Sequence, residues 1–418
     1  MILVYNIALL LTAPIWLAYA LYRIIFGTWR SDWQHRFGFV PRSSRPSVWI
    51  HAVSVGEMIA AIPVIKALRK QRPQSYIVLT TTTPGGREIA DRQAAEWVDQ
   101  IAYFPLDPFA WIGVRRIRPT VLALMESEFW LNAQWFAKRQ GATVLLLNGR
   151  VSDRTYRRAP RFRFYYRAAL GLIDQALAQT QTDADRLTAL GADAARTVVA
   201  GNTKFDEALD ETESGAQWKT TLGLPPESKL LVTGSSRSRM EDDLAIRAFV
   251  VIAKAVPSLR LLLAPRHLDR VEECLAACRE AGLSAVRRSA ISGPHDHPVI
   301  VLDTFGELSR IYSAAEIAII GGGFEPFGGQ NLIQPLARGA PVIFGPHMHN
   351  FRDAAHMAKS EGAGFETNSA DETAKLCIRI LTDDALRLSL SEKARRLAKA
   401  NQGASERCIA AISATLSD

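Results

Sequence analysis

The stretch Val48-Trp49-Ile50-His51-Ala52-Val53-Ser54-Val55-Gly56-Glu57 carries the fold. Its first half is an apolar run of strand length, and residues 47–53 read as one buried strand. A tight turn follows at Gly56, where the missing Cβ lets the backbone approach a ligand closely. Glu57 then opens a helical pattern that continues through Met58-Ile59-Ala60-Ala61-Ile62. A strand that stops at a glycine turn and feeds a helix is the place where open α/β sheets bind ligands, outside the carboxyl ends of the strands. At that mouth Glu57 offers a carboxylate, the simplest general base for an alcohol. The plainer alternative is an acid in a helix's first turn, complementing the dipole.

Working outward, the same rhythm repeats. Short β-rich runs fall at 47–53, 76–82, 121–125, 143–147, 173–179 and 197–200. Helical stretches lie between them at 57–70, 85–96, 130–139 and 183–190. Alternation of this kind predicts a parallel sheet covered on both faces. A polar stretch from Asp206 to Ser228 interrupts it and reads as a linker. The rhythm then restarts at 229–234, 259–263, 298–302, 316–320 and 341–344, with helices at 241–256, 268–281, 305–314 and 331–338, and the last 35 residues read as helical. The prediction is an α/β protein of two Rossmann-like domains. Residues 29–206 form the first, 207–228 the linker and 229–418 the second, as suits a chain of 418 residues.

The first 22 residues carry no charge. About 20 apolar residues can span a bilayer. Arg23, Arg30 and Arg36 follow, with Trp29 and Trp33 between them, which predicts a membrane-anchor helix over residues 1–28 with the bulk of the chain on the cytoplasmic side. Two rivals stand beside it. Ala18-Tyr19-Ala20 has the small-residue form of a signal-peptidase site, and Asn6, Thr12 and Pro14 suit a helix lying in the interface. The formal charge of +8 suits an anionic partner. No Lys/Arg-rich tract is interleaved with aromatics, so nucleic acid is not expected. The four cysteines, Cys274, Cys278, Cys377 and Cys408, form no CxxC pair and no zinc spacing.

The second half gathers candidate ligand contacts at strand ends. Gly321-Gly322-Gly323 and Gly328-Gly329, followed by Gln330 and Asn331, run from a buried strand into a helix. Clustered glycines expose backbone N–H groups to anions, so a phosphate or ribose site is expected here. Arg266 ends another strand and can meet a phosphate bidentately. Asp303-Thr304-Phe305-Gly306-Glu307 and Gly345-Pro346-His347-Met348-His349-Asn350 end two more. Asp183-Ala184-Asp185 is a DxD string that reads as a helix cap, not a metal site, and His295 and His297 read as solvated. No metal and no cofactor are expected.

These motifs together are recognisable. His51-Ala52-Val53-Ser54-Val55-Gly56-Glu57, Met125-Glu126-Ser127-Glu128-Phe129-Trp130, Asn148-Gly149-Arg150-Val151-Ser152-Asp153-Arg154, Gly201-Asn202-Thr203-Lys204-Phe205-Asp206, Pro265-Arg266-His267, Asp303 to Leu308 and Gly345 to Phe351 occur in one order over nearly the whole chain. In this the chain resembles the Kdo transferases of lipopolysaccharide assembly, which have the two-domain (GT-B) glycosyltransferase fold. The resemblance implies an inverting enzyme on the cytoplasmic face of the inner membrane. It would move Kdo from CMP-Kdo to a lipid A precursor of the lipid IVA type. By the family pattern Glu57 is the base, and Glu126 and Lys204 support the transition state. Pro265, Arg266, Phe305, Gly306, Glu307, Asn331, Leu332, Ile333 and Gln334 hold CMP.

This chain departs from the family pattern mainly in the donor half. Gly234-Ser235-Ser236-Arg237-Ser238-Arg239-Met240-Glu241 stands where Gly-Ser-Thr-His-x-x-Glu-Glu is usual. Gly328-Gly329-Gln330-Asn331-Leu332-Ile333-Gln334 replaces Gly-Gly-His-Asn-Pro-Leu-Glu, and Leu131 follows Trp130 where Pro is usual. Two further readings follow: a divergent transferase of the same fold with another nucleotide sugar, and a glycolipid-binding relic without catalysis. Retention of Glu57, Glu126, Lys204 and Arg266 together argues against the relic.

Overall fold

The computed structural model describes the chain except residues 28, 30, 31, 208–213, 417 and 418. Arg30 and the start of the expected linker lie outside the described residues. The chain divides into two compact units. Unit 1 comprises Met1–Glu207 with Gln402–Asp418, and unit 2 comprises Ala208–Asn401.

Unit 1 is built on seven strands: β1 (Ser47–His51), β2 (Tyr76–Thr81), β3 (Gln100–Tyr103), β4 (Pro119–Met125), β5 (Thr143–Gly149), β6 (Gln175–Ala178) and β7 (Thr197–Val199). They pair in parallel in the order β3-β2-β1-β4-β5-β6-β7. Every residue of β1 is buried. Trp49, Val78, Leu122 and Leu124 pack on one face, and Val48, Ile50, Ile77, Leu79, Val121 and Ala123 on the other. Covering both faces is why these strands read as continuous apolar runs and not as alternating ones. The strand order reverses between β1 and β4, and such a switch point is where α/β sheets open a ligand crevice. Glu57 follows β1 and Glu126 follows β4.

Unit 2 repeats the plan with β8 (Lys229–Ser236), β9 (Leu259–Pro265), β10 (Ala285–Arg287), β11 (Val299–Val301), β12 (Ile317–Ile320), β13 (Val342–Phe344) and β14 (Gly364–Glu366). The parallel order is β10-β11-β9-β8-β12-β13-β14, with its switch between β8 and β12. Arg237 and the glycine cluster 321–323 follow those two strands.

Three expectations need correction. First, the expected second domain, 229–418, does not keep its last residues. Helix Ala404–Ser413 belongs to unit 1, where Cys408, Ile409 and Ile412 pack with Met58, Ile62 and Leu147. Asp206 fixes the return: its two carboxylate oxygens accept the Gly403 and Ser405 N–H groups, both at 2.7 Å. Second, the expected linker, 207–228, is structured from Ser214 onward. A capping box of Ser214 and Gln217 starts helix Gly215–Thr221, and Trp218, Leu222 and Leu224 are buried. Its polar composition masked three buried anchors.

Third, the expected single anchor helix is two helices, Ile2–Leu11 and Ala13–Ile25, bent by 63° at Thr12. Pro14 sits at the start of the second, where a missing N–H costs no helical bond. Among the described residues no single helix is long and apolar enough to cross a membrane, although the bent pair together has the length and composition. The first helix is also tied to unit 1. The Tyr5 hydroxyl donates to Asp107 (2.9 Å), and the Asn6 amide bonds Asn132 (2.9 Å). Leu3, Val4, Ile7, Leu10 and Leu11 remain exposed.

Candidate active site

Glu57 stands on the third residue of helix Val55–Gln71, which Ser54 caps. Its amide N–H reaches Ser54 Oγ at 3.4 Å, and its carboxylate accepts the Val53 N–H at 2.6 Å. This is a capping box with its return bond moved one residue outward, so the structural alternative holds in part. Unit 2 tests whether it is the whole account, because Ser238 and Glu241 repeat the device after β8. Glu241 N–H reaches Ser238 Oγ at 3.4 Å, and its carboxylate accepts the N–H groups of Arg237 and Gly322 (both 2.8 Å) and Phe324 (3.2 Å). Glu241 is consumed in holding the glycine loop. What separates Glu57 is company: burial first, then the Glu128 and Glu126 carboxylates, push it up to about 8. A helix N-terminus by itself favours the ionised form, but here desolvation and like charge outweigh the dipole.

The partners come from the β4 turn, which the register of β1 against β4 (His51 beside Leu124) brings alongside. Glu126 is buried and adopts a left-handed backbone, φ 54°. Its N–H donates to Leu147 O (2.9 Å) and its carbonyl accepts the Arg150 N–H (3.1 Å), which holds the strained turn. Lys204 Nζ meets Glu126 Oε1 at 2.8 Å, both side chains being only 11% exposed. Lys204 is set in place by its neighbours: the Thr203 N–H donates to Asn148 Oδ1 (3.1 Å) and the Thr203 hydroxyl to Ala60 O (2.7 Å). Glu128, to which the sequence alone assigns no role, accepts the Trp130 indole N–H at 2.6 Å. Burial raises it to about 7 against the pull of that bond. Three carboxylates and one ammonium thus share the switch point of unit 1. His51 beneath them is fully buried, stacks on Phe104 at 3.8 Å and is held neutral by burial, its pKa falling to about 3.

Unit 2 brings most of the expected donor residues to neighbouring strand ends. Pro265 closes β9, and the Arg266 N–H donates to Ser236 O at 2.8 Å, stitching β9 to β8. Phe305 is exposed, Gly306 takes a left-handed turn (φ 84°), and Glu307 is paired with Arg288 at 3.1 Å. All three follow β11, the neighbour of β9. Asn331 accepts the Ile333 N–H at 2.9 Å, which shapes the entry to helix Ile333–Ala337. Leu332 and Ile333 are wholly buried, so their side chains are not open to a ligand; Gln334 is half-buried. The 345–351 segment clasps the glycine loop, with the His347 N–H on Gly323 O and the Asn350 N–H on Gly328 O, both at 2.9 Å.

Among the described residues no group of three or more His, Cys, Asp or Glu side chains is placed to hold a metal ion. Asp183 is buried and accepts the Val151 N–H at 2.9 Å. His295 is not solvated as expected: it is half-buried and meets the Leu222 carbonyl at 3.0 Å.

A family model described as 3-deoxy-D-manno-octulosonic-acid transferase (kdotransferase) matches residues 31–207. The 3-deoxy-D-manno-octulosonic acid transferase of Bordetella pertussis is 37% identical, with 98% of each chain covered. The chain belongs to the Kdo transferase family. It is accordingly a glycosyltransferase of lipopolysaccharide biosynthesis. Kdo transferases of Chlamydophila psittaci (33% identical over 82% of this chain and 80% of that one) and Haemophilus influenzae (28%, over 97% and 96%) are similar along most of their length. Among solved structures, UDP-GlcNAc 2-epimerase from Neisseria meningitidis shares the fold with a TM-score of 0.63 at 14% identity, covering 88% of this chain and all of that one. The two-domain fold of this Kdo transferase is thus shared with epimerases, and its chemistry lies in the side chains described above.

Proposed function

We propose that this Kdo transferase moves Kdo from CMP-Kdo to a lipid A precursor of the lipid IVA type, with inversion and without a metal, at the cytoplasmic face of the inner membrane. The observation that carries the reading is Glu57, a carboxylate raised to about 8 beside Glu126, Glu128 and Lys204. A base acts best when its pKa lies near the working pH. Ionised Glu57 takes the proton of the acceptor hydroxyl as the new sugar–oxygen bond forms. The bond between the sugar and the phosphate breaks, and CMP leaves with the electron pair. Lys204, held by Glu126, supplies fixed positive charge to the anions gathered there. In unit 2 Arg266, the 305–307 turn and the 331–334 segment hold the nucleotide. The exposed apolar side chains of the bent helix pair, with Arg23 in the last turn of the second helix, suit a lipid surface.

The departures at Arg237, Gln330 and Gln334 favour one rival, a donor other than CMP-Kdo. The test is transfer to the lipid A precursor in detergent, with EDTA present. CMP-Kdo and a panel of CMP- and UDP-sugars are offered in turn, and product mass and anomeric configuration are read. The expected result is Kdo transfer with inversion from CMP-Kdo alone, undiminished by EDTA. Turnover with another nucleotide sugar and none with CMP-Kdo would overturn the donor. Loss of activity in EDTA would overturn the metal-free mechanism.

A further inference from the structure

Arg237 departs from the family pattern, and the sequence alone gives it no role. The structure sets it beside Arg266. In the β8–β9 register Ser236 faces Pro265, and the two arginines are the residues immediately after that pair. The Arg266 N–H bonded to Ser236 O at 2.8 Å keeps the two strand ends together. The Arg237 guanidinium lies 5.0 Å above the Phe327 ring, and its stem runs along Gly322, where a Cβ would meet Arg237 Cδ at 3.4 Å. Gln330, another departure, touches the same glycine, at 3.2 Å from that Cβ position. Arg237 therefore leans over the glycine loop at the switch point of unit 2.

Neither guanidinium has an ion pair among the described residues. The nearby acids are spent on other bonds: Glu241 takes three backbone N–H groups, and Glu325 takes the Ser238 hydroxyl. Partial burial first, and then the charge of Arg237, pull Arg266 below its usual range. Two cations are thus held at adjacent strand ends without a counter-charge. An anion placed between them removes the repulsion and takes up their planar donor forks, which match phosphate oxygens.

We propose that Arg237 and Arg266 form a two-guanidinium clamp on the phosphate that joins the donor's nucleoside to its sugar. This rests on the reading of unit 2 as the donor-holding half. Arg237 is then a binding residue for the nucleotide monophosphate.

The test is calorimetric titration of the full chain with CMP and, by displacement, with cytidine. It compares the unaltered chain, Arg237→Gln and Arg237→Lys. The cap bond from the Arg237 backbone N–H to Glu241 survives in both variants, and melting curves check that it does. Removing one charge-assisted hydrogen bond should weaken CMP binding by roughly 10- to 100-fold while cytidine binding is unchanged. Arg237→Lys should fall between, because lysine keeps the charge and loses the fork. CMP affinity within twofold of the unaltered chain in Arg237→Gln overturns the clamp, as does an equal loss for cytidine. Failure of the unaltered chain to bind CMP at all overturns the donor reading itself, and so is a different result.

Discussion

At the scale of single residues, Glu57 and Glu241 show one local device turned to two ends. Both are the Glu of a Ser-x-x-Glu helix start, and both return a bond to the strand end. A capping box is legible in sequence. The neighbours of each carboxylate are not, because they arrive through the pairing of β1 with β4 and of β8 with β12. That is why Glu57 stands out in the sequence and Glu128 does not, although both lie in recognisable motifs. The consequence is measurable through pH. Folded Glu57 keeps its proton up to about 8, whereas in the unfolded chain it would release it near 4.3. Between those values the folded state binds the extra proton, so stability from this group declines as pH rises. Glu57→Gln removes the decline: its melting temperature should equal the unaltered chain's near pH 4.5 and exceed it at pH 8. Its kcat should drop by about 10² to 10⁴, and the rise of rate toward a plateau above pH 8 should vanish. A lower melting temperature at pH 8 with near-normal turnover would falsify the catalytic assignment and leave a capping acid.

At the scale of elements, the long buried strands and the helices after them were legible because burial on both faces leaves unbroken apolar runs. The strands that escaped share a cause. β3, β10 and β14 are short, β10 and β14 are edge strands of only three residues each, and each of the three carries a polar or charged side chain. The N-terminal segment was legible as apolar but not as bent. Nothing in its composition shows that Tyr5 and Asn6 face protein. Asp107, which Tyr5 meets, is buried and raised by that burial, and the Asn132 and Ala133 N–H groups also bond it. Tyr5→Phe leaves this group short of one donor. The expected cost is about 1–2 kcal/mol, read as a lower urea midpoint, with faster protease cleavage around Thr12. An unchanged midpoint would mean that the first helix is not held by this bond.

At the scale of the whole molecule, the chain passes between its two units twice, after Glu207 and after Asn401. Sequence could not show the second passage, since helix Ala404–Ser413 is as good an apolar helix for one core as for the other. The bonds from Asp206 to Gly403 and Ser405 and from Arg407 to Ala200 O (2.7 Å) decide it. Ending the chain at Asn401 should therefore damage unit 1, which the missing residues do not adjoin in sequence. Removing several buried side chains at about 1.5–3 kcal/mol each is enough to unfold a marginal domain. Calorimetry should show the loss of one melting transition, with CMP binding by unit 2 retained. Loss of CMP binding with unit 1 intact would contradict the assignment of this helix.

The late return of that helix also sets an order of birth. Ribosomes add roughly 5–20 residues per second, and all of Ala208–Asn401 must be made before Cys408, Ile409 and Ile412 exist. For roughly 10–40 s the half that is made first waits with part of its core uncovered, while the half that is made second has everything it needs. On the ribosome the later half should then become protease-resistant before the earlier one. Chains stalled just past Asn401 would show it, and resistance of the earlier half at that point would refute it. If that order holds, a nascent Kdo transferase acquires the half proposed to hold the nucleotide before the carboxylates that would use it are locked in place.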